Sequence, residues 1–189
     1  MKDYIFVRHA ESHYNARLTK NLDSNLTLRG VEQAVKTGMY LRDNIPNIHE
    51  FIGITSPYHR CLQTSDIIHS LTGIEFQVKP APREIMMIYD ECKVINRKDS
   101  FNHFYWHHEE DFYFLTENEE EFVNRMKNYI LEEDHPKLLT VSHGSCVKAM
   151  YDFVTGQEVV PDLHNYPDNC SVAYIQNQKT VHWNFCPWE

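Results

Sequence analysis

Short β-prone apolar runs alternate along the chain with longer segments in which apolar residues return every three or four positions. The runs Asp3 to Val7, Phe51 to Thr55 and Leu138 to Ser142 are too short for helices and predict strands. Each stops at a basic or hydroxyl residue: Arg8, Ser56-Pro57 and His143. The helical period appears first after Thr27, a candidate N-cap, where Val31, Ala34, Val35, Gly38 and Met39 fall on one face. Ser56 and Pro57 read as N-cap and first position of a second helix, with Leu62, Ile67, Ile68 and Leu71 inward and Gly73 as its stop. Thr116 with Glu119 has the spacing of a capping box opening a third helix, whose stripe is Phe122, Val123, Met126, Tyr129 and Ile130. After His143, the residues Val147, Met150, Tyr151 and Val154 continue helically to Gly156.

Strands alternating with helices predict an α/β fold, a three-layer α/β/α sandwich with a mostly parallel central sheet. The tail reads differently: Ser171 to Ile175 and Thr180 to Phe185 predict two strands around Asn177-Gln178, a hairpin or edge pair. Lys93 to Leu115 has neither period. With no repeat, low-complexity tract or linker composition, residues 1–189 are expected to form a single domain. Parallel α/β sheets bind ligands beyond the carboxyl ends of their strands. Arg8-His9 and His143 are expected at two such ends, which lets residues far apart in sequence meet.

Composition narrows the function classes. A hydrophobic share of 42% over 189 residues is enough for a sizeable interior. The formal charge of −9, from 27 acidic and 18 basic residues, argues against a nucleic-acid footprint, so any anion must be held by a local positive pocket. The apolar run near the N-terminus is too short for a signal-peptide core or a membrane span, and the chain is expected to be soluble and cytoplasmic. Five cysteines (Cys61, Cys92, Cys146, Cys170, Cys186) with no CxxC pair read as free thiols in a reducing compartment. His103, His107 and His108 with Glu109, Glu110 and Asp111 match no established ligand spacing, so neither a metal nor a cofactor is expected.

The chemistry is carried by four segments in order: Arg8-His9-Ala10-Glu11-Ser12 with Asn15; Leu26-Thr27-Leu28-Arg29-Gly30 with Gln33-Ala34; Ser56-Pro57-Tyr58-His59-Arg60 with Gln63-Thr64; and Val141-Ser142-His143-Gly144. Together they resemble the histidine phosphatase superfamily, the phosphoglycerate mutase-like enzymes, over residues 5 to about 175. The resemblance implies a phosphoglycerate mutase-like fold and a phosphate pocket built on these segments. It departs at Ala10, where the family pattern has Gly, a small change beside the nucleophilic His.

Transfer of a phosphate monoester needs an in-line nucleophile, cations on the equatorial oxygens and an acid for the leaving group. Imidazole attacks phosphorus only when neutral, and its ordinary pKa of about 6.5 leaves a substantial neutral fraction at pH 7. His9 therefore reads as the nucleophile, on a strand-end loop expected to face solvent. Arg8 and Arg60 offer permanently charged forks for phosphate oxygens, His143 a third donor and Asn15 a neutral one. The family places a Glu after the strand that follows the second Arg helix. Here that strand is Phe76-Gln77-Val78, and Pro82-Arg83-Glu84 makes Glu84 the candidate acid. The family's Trp-Glu-Gly continuation is absent, which leaves Asp90 and Glu91 as rivals.

The expected activity is metal-independent hydrolysis of a small-molecule phosphate ester through a phosphohistidine on His9. One alternative is a phosphoglycerate-type mutase, for which the middle segment offers mainly Lys93, Arg97 and Lys98 as carboxylate-binding cations. An alternative of another class is a non-catalytic phospho-ligand binding module. Residues 93–115, rich in aromatics, are expected to be a substrate-pocket insertion.

Overall fold

The structure, a computed structural model, describes residues 2–84, 117–160 and 166–189. The 93–115 segment with its His/Glu cluster, and also Asp90, Glu91, Cys92 and Thr116, lie outside the described residues. Among the described residues six strands form one sheet: β1 (Asp3–Arg8), β2 (Ile52–Thr55), β3 (Phe76–Val78), β4 (Lys137–Ser142), β5 (Val172–Gln176) and β6 (Lys179–Phe185), in the order β3-β2-β4-β1-β5-β6. β3, β2, β4 and β1 run parallel, whereas β5 and β6 are antiparallel. The tail is the hairpin its sequence predicts, and Asn177 (φ 51°) and Gln178 (φ 65°) supply the positive φ pair that a tight strand connection favours.

Among the described residues four α-helices cover the two faces: α1 (Leu28–Asn44), α2 (His59–Thr72), α3 (Glu119–Glu132) and α4 (Gly144–Val154). Side chains alternate across a strand, so each inner strand feeds both layers. Ile5 and Val7 of β1, with Leu139 and Val141 of β4, pack among Ala34, Leu41, Cys61 and Ile68 of α1 and α2. Phe6 and Leu138 pack on the other face with Phe122, Met126 and Tyr129 of α3 and Val147 and Met150 of α4. Full burial of such a side chain contributes about 1.5–3 kcal/mol, so this double core is what holds the strand ends in register.

Three helix details differ from the sequence reading. Thr27 does cap α1, its side chain accepting from the Gly30 N–H, but the inward face is Gly30, Gln33, Ala34, Thr37, Gly38 and Leu41, while Val31 and Met39 are exposed. That face is chosen by close approach and polar pairing rather than by apolar period. A Cβ on Gly30 would lie 2.0 Å from the Glu11 carbonyl oxygen. Gln33 Oε1 accepts from the Glu11 N–H, and Thr37 Oγ1 donates to the Cys170 carbonyl.

α2 begins at His59, not at Pro57, and its first N–H is capped from a distant loop, since Asp23 Oδ1 accepts from His59 N at 2.7 Å. Its buried residues are Arg60, Cys61, Thr64, Ser65 and Ile68, whereas Leu62, Ile67 and Leu71 are half-buried. α3 is opened by Asn118 and Glu121, which form a reciprocal capping box two residues later than the Thr116 and Glu119 pair. Gly73 (φ 75°) ends α2 as expected.

Candidate active site

The sheet itself brings the two histidines together. β1 and β4 are neighbours with Arg8 opposite Ser142, so His9 and His143, one residue beyond each strand, leave the same edge side by side. His9 N donates to the Ser142 carbonyl at 2.8 Å, and the two rings sit 5.3 Å apart. β2 flanks β4 on its other side and delivers Ser56 and the start of α2 to the same edge. Arg60, in the first turn of α2 and 5% exposed, reaches between the rings: its Nε donates to His9 Nε2 at 3.0 Å, and its Nη2 to His143 Nδ1 at 3.0 Å.

These contacts fix protons. His9 Nδ1 lies 2.8 Å from the Ala10 carbonyl, which can only accept, so the ring hydrogen is on Nδ1 and the lone pair on Nε2. His9 is 1% exposed, contrary to its expected solvent-facing position, because the loop after β1 folds back under α1 and α2. The Ala10 N–H is held by Thr64 Oγ1 and the Glu11 N–H by Gln33, the polar partners of the second and third segments. Burial first, and the cations Arg60 and Arg8 next, lower His9 well below the ordinary histidine range. His143 is lowered for the same leading reasons, burial and then Arg60. With Nδ1 accepting from Arg60, its hydrogen is on Nε2 and faces Ser56 Oγ at 2.8 Å.

Arg8 donates through Nη1 to the Pro167 carbonyl at 2.7 Å and lies 4.9 Å from the Tyr166 ring centre. Its Nε is buried and has no hydrogen-bond partner among the described residues. The Tyr166 ring also explains Gly144, where a Cβ would fall 2.7 Å from it. Glu84 follows β3 and a turn closed by Arg83 N to the Pro80 carbonyl. That turn carries it across the end of β2, so that Glu84 Oε2 stands 3.4 Å from His143 Nδ1 and 3.8 Å from Arg60 Nη2. Asn15 Oδ1 is occupied by Ser12 and by Asn169, whose Nδ2 also donates to the His9 carbonyl, which leaves the Asn15 amide nitrogen as its donating end.

Arg8, His9, Arg60, Glu84 and His143 are thus gathered at one edge of the sheet, with Asn15 one hydrogen-bonded step away. Sequence reading missed three supports. Asp23 caps α2, and the Leu22 carbonyl beside it accepts from Arg60 Nη1 at 2.5 Å. Asn169 ties the His9 loop to the tail. Ser56, read as a helix cap, instead partners His143, and no local signal in Ser56-Pro57 distinguishes the two uses. Cys61 Sγ lies 3.6 Å from His143 Nε2, but burial pushes its thiol far up, and Cys146 up to about 12, so neither competes as a nucleophile. Among the described residues no group of three or more His, Cys, Asp or Glu side chains is disposed to hold a metal ion, and no helix is long and apolar enough to cross a membrane.

The buried histidines set a pH dependence of stability. The unfolded chain takes up protons near pH 6.5, whereas native His9 and His143 take them up only at lower pH. Stability is therefore retained above about 6.5 and lost as pH falls below it, by up to about 1.4 kcal/mol per pH unit for each histidine. Urea unfolding at pH 7.5 and 5.5 should show a smaller loss for His9→Asn than for the wild type. An identical loss in both would contradict the burial of a neutral His9.

The sequence profile of the Histidine phosphatase superfamily (branch 1) matches residues 4–184. No curated protein matches the chain significantly in sequence. Among solved structures, mycobacterial glucosyl-3-phosphoglycerate phosphatase in complex with VO3 is similar with a TM-score of 0.68 and 18% identity, over 98% of this chain and 100% of that one. The same mycobacterial protein with inorganic phosphate gives 0.67 and 17%, over the whole of both chains (100% and 100%). Phosphoserine phosphatase from Entamoeba histolytica in complex with 3-phosphoglyceric acid gives 0.65 and 18%, over 96% of this chain and 94% of that one. At these identities the structures speak for the fold, while the profile, spanning nearly the whole sequence, speaks for descent: the chain belongs to the histidine phosphatase superfamily, branch 1.

Proposed function

We propose that this protein hydrolyses a small-molecule phosphate monoester through a phosphohistidine on His9, with its own side chains supplying all the positive charge required. The observation that carries the reading is the protonation pattern of His9: Nδ1 donates to the Ala10 carbonyl, and burial beside two cations keeps the ring neutral, so Nε2 presents a lone pair. That lone pair accepts from Arg60 Nε in the unliganded site. Ester binding draws Arg60 onto a phosphate oxygen and frees Nε2 for attack. The buried Nε of Arg8, which has no partner among the described residues, is a second donor suited to a phosphate oxygen.

Attack forms the Nε2–P bond as the P–O bond to the leaving group breaks, and Glu84, in its acid form, hands its proton to the departing oxygen. The negative charge of the ester favours that protonated form, and favours a proton on His143 Nδ1 facing the phosphate. Water then attacks the phosphoimidazole, Glu84 takes its proton, and phosphate leaves with His9 neutral again. Arg8, Arg60 and His143 surround the five-coordinate phosphorus, and Asn15 adds a neutral donor. The similar solved structures that bear the name of phosphatase accord with hydrolysis rather than phosphate return to a second hydroxyl, as a fold-level analogy.

Vanadate or tungstate should inhibit hydrolysis of p-nitrophenyl phosphate competitively at micromolar concentration or below, because these oxyanions take up the five-coordinate geometry of the transition state. Chelation with EDTA should leave turnover unchanged. Activity lost on chelation and restored by one divalent ion would contradict the reading. Tight oxyanion binding without any release of phosphate would turn it into a phospho-ligand binding module.

A further inference from the structure

The loop that carries Glu84 is held by its backbone from three directions. Ser142 Oγ, the last side chain of β4, donates to the Pro82 carbonyl at 2.7 Å, and Cys146 Sγ, in the first turn of α4, to the Arg83 carbonyl at 2.9 Å. These two elements also carry His143. The third hold comes from α3, outside the phosphate pocket: Arg125 Nη1 donates to the Ala81 carbonyl and, at 3.1 Å, to the Arg83 carbonyl. The opposite edge of the same guanidinium is clasped by Glu117, with Nε to Oε2 at 2.8 Å and Nη2 to Oε1. Both side chains are shielded, at 13% exposure for Arg125 and 5% for Glu117, and Arg83 Nη2 stands 3.8 Å from the same carboxylate. One buried carboxylate thus aims a planar fork at the two carbonyls that flank Pro82, one residue short of Glu84.

We infer that Arg125, oriented by Glu117, is a positioning residue that sets where the Glu84 carboxyl meets the leaving-group oxygen; the inference rests on the reading of Glu84 as the acid. A fork can bond carbonyls with one edge and a carboxylate with the other, which the point charge of a lysine cannot reproduce. Proton transfer in the transition state needs the acid within hydrogen-bond reach, and misplacement by about 1 Å costs on the order of a hundredfold. Loss of the fork therefore acts on the protonation step and leaves the phosphate cradle of Arg8, His9 and Arg60 in place.

Arg125→Lys and Glu117→Gln are tested with two substrates, phenyl phosphate, whose leaving group needs protonation, and p-nitrophenyl phosphate, whose leaving group needs little. Arg125→Lys should lower kcat/KM for phenyl phosphate, which reports the phosphorylation step, by about tenfold to a hundredfold while kcat/KM for p-nitrophenyl phosphate changes by less than about threefold. Vanadate inhibition should be unchanged, and in a Glu84→Gln background Arg125→Lys should have no further effect. Glu117→Gln, which keeps the arginine and weakens its clasp, should give the same selective loss at smaller amplitude and guards against a folding defect in the first variant. Equal losses on both substrates, or an Arg125→Lys effect that multiplies with Glu84→Gln, would overturn the inference while leaving Glu84 as the acid. Equal losses in Glu84→Gln alone would overturn the reading beneath it as well.

Discussion

His9→Ala should reduce turnover of any phosphate ester by on the order of 10⁴-fold or more, the scale seen when a covalent mechanism loses its nucleophile. No second group that the described residues bring to the edge of the sheet can substitute: with the ester bound His143 carries a proton on Nδ1, and Cys61 is kept as a thiol by burial. The fold should survive, although His9 is a buried side chain. The ring leaves a space beside Arg60 rather than within either apolar core, and the backbone of its loop stays tied through Thr64, Gln33 and Asn169. Circular dichroism and urea unfolding of the variant should be close to wild type at neutral pH. Full activity in His9→Ala would remove the covalent mechanism altogether.

Glu84→Gln should produce the second largest effect, and a selective one. General acid catalysis is typically worth about 10²- to 10⁴-fold, and the loss should appear in full on an alkyl phosphate, whose alkoxide departs only with a proton. For p-nitrophenyl phosphate kcat/KM, which reports the phosphorylation step alone, should be far less affected, while kcat falls because dephosphorylation loses its base. Glu84 Oε2, 3.4 Å from His143 Nδ1 and 3.8 Å from Arg60 Nη2, is the carboxylate that the described residues bring to the pocket edge. Asp90→Asn and Glu91→Gln should leave both substrates unchanged. A selective loss in either of those, with a uniform one in Glu84→Gln, would reassign the acid.

Fold and site are legible in the sequence where one physical rule dominates. Strand ends were readable because apolar runs stop at Arg8, Ser56 and His143, and parallel pairing then obliges those residues to share an edge. The stripe of α3 was readable because its whole buried face is large and apolar, from Phe122 to Ile130. The face of α1 is not legible in this way, because Gly30, Gln33 and Thr37 are buried by close backbone approach and by polar pairing with Glu11 and Cys170, neither of which leaves an apolar period. Asp23, Asn169 and the Glu117–Arg125 clasp were invisible for a related reason. Asp23 and Asn169 bond ordinary backbone groups many positions away, 36 residues for Asp23 and 160 for Asn169, and the clasped Arg125 bonds the Ala81 carbonyl, 44 residues away. A strand-end loop usually lies in solvent, whereas three side chains from α1 and α2 draw that of His9 inward.

The central claim is covalent, so the most direct measurement is chemical. Wild-type protein mixed with ³²P-labelled ester and quenched in alkali within milliseconds should carry phosphate that is stable to base and labile to acid, on a tryptic peptide containing His9. The label should be absent from His9→Ala and should accumulate in Glu84→Gln when the substrate is p-nitrophenyl phosphate, since dephosphorylation then loses its base. Turnover without any such label, or label that survives acid and sits on a different residue, would contradict the phosphohistidine mechanism.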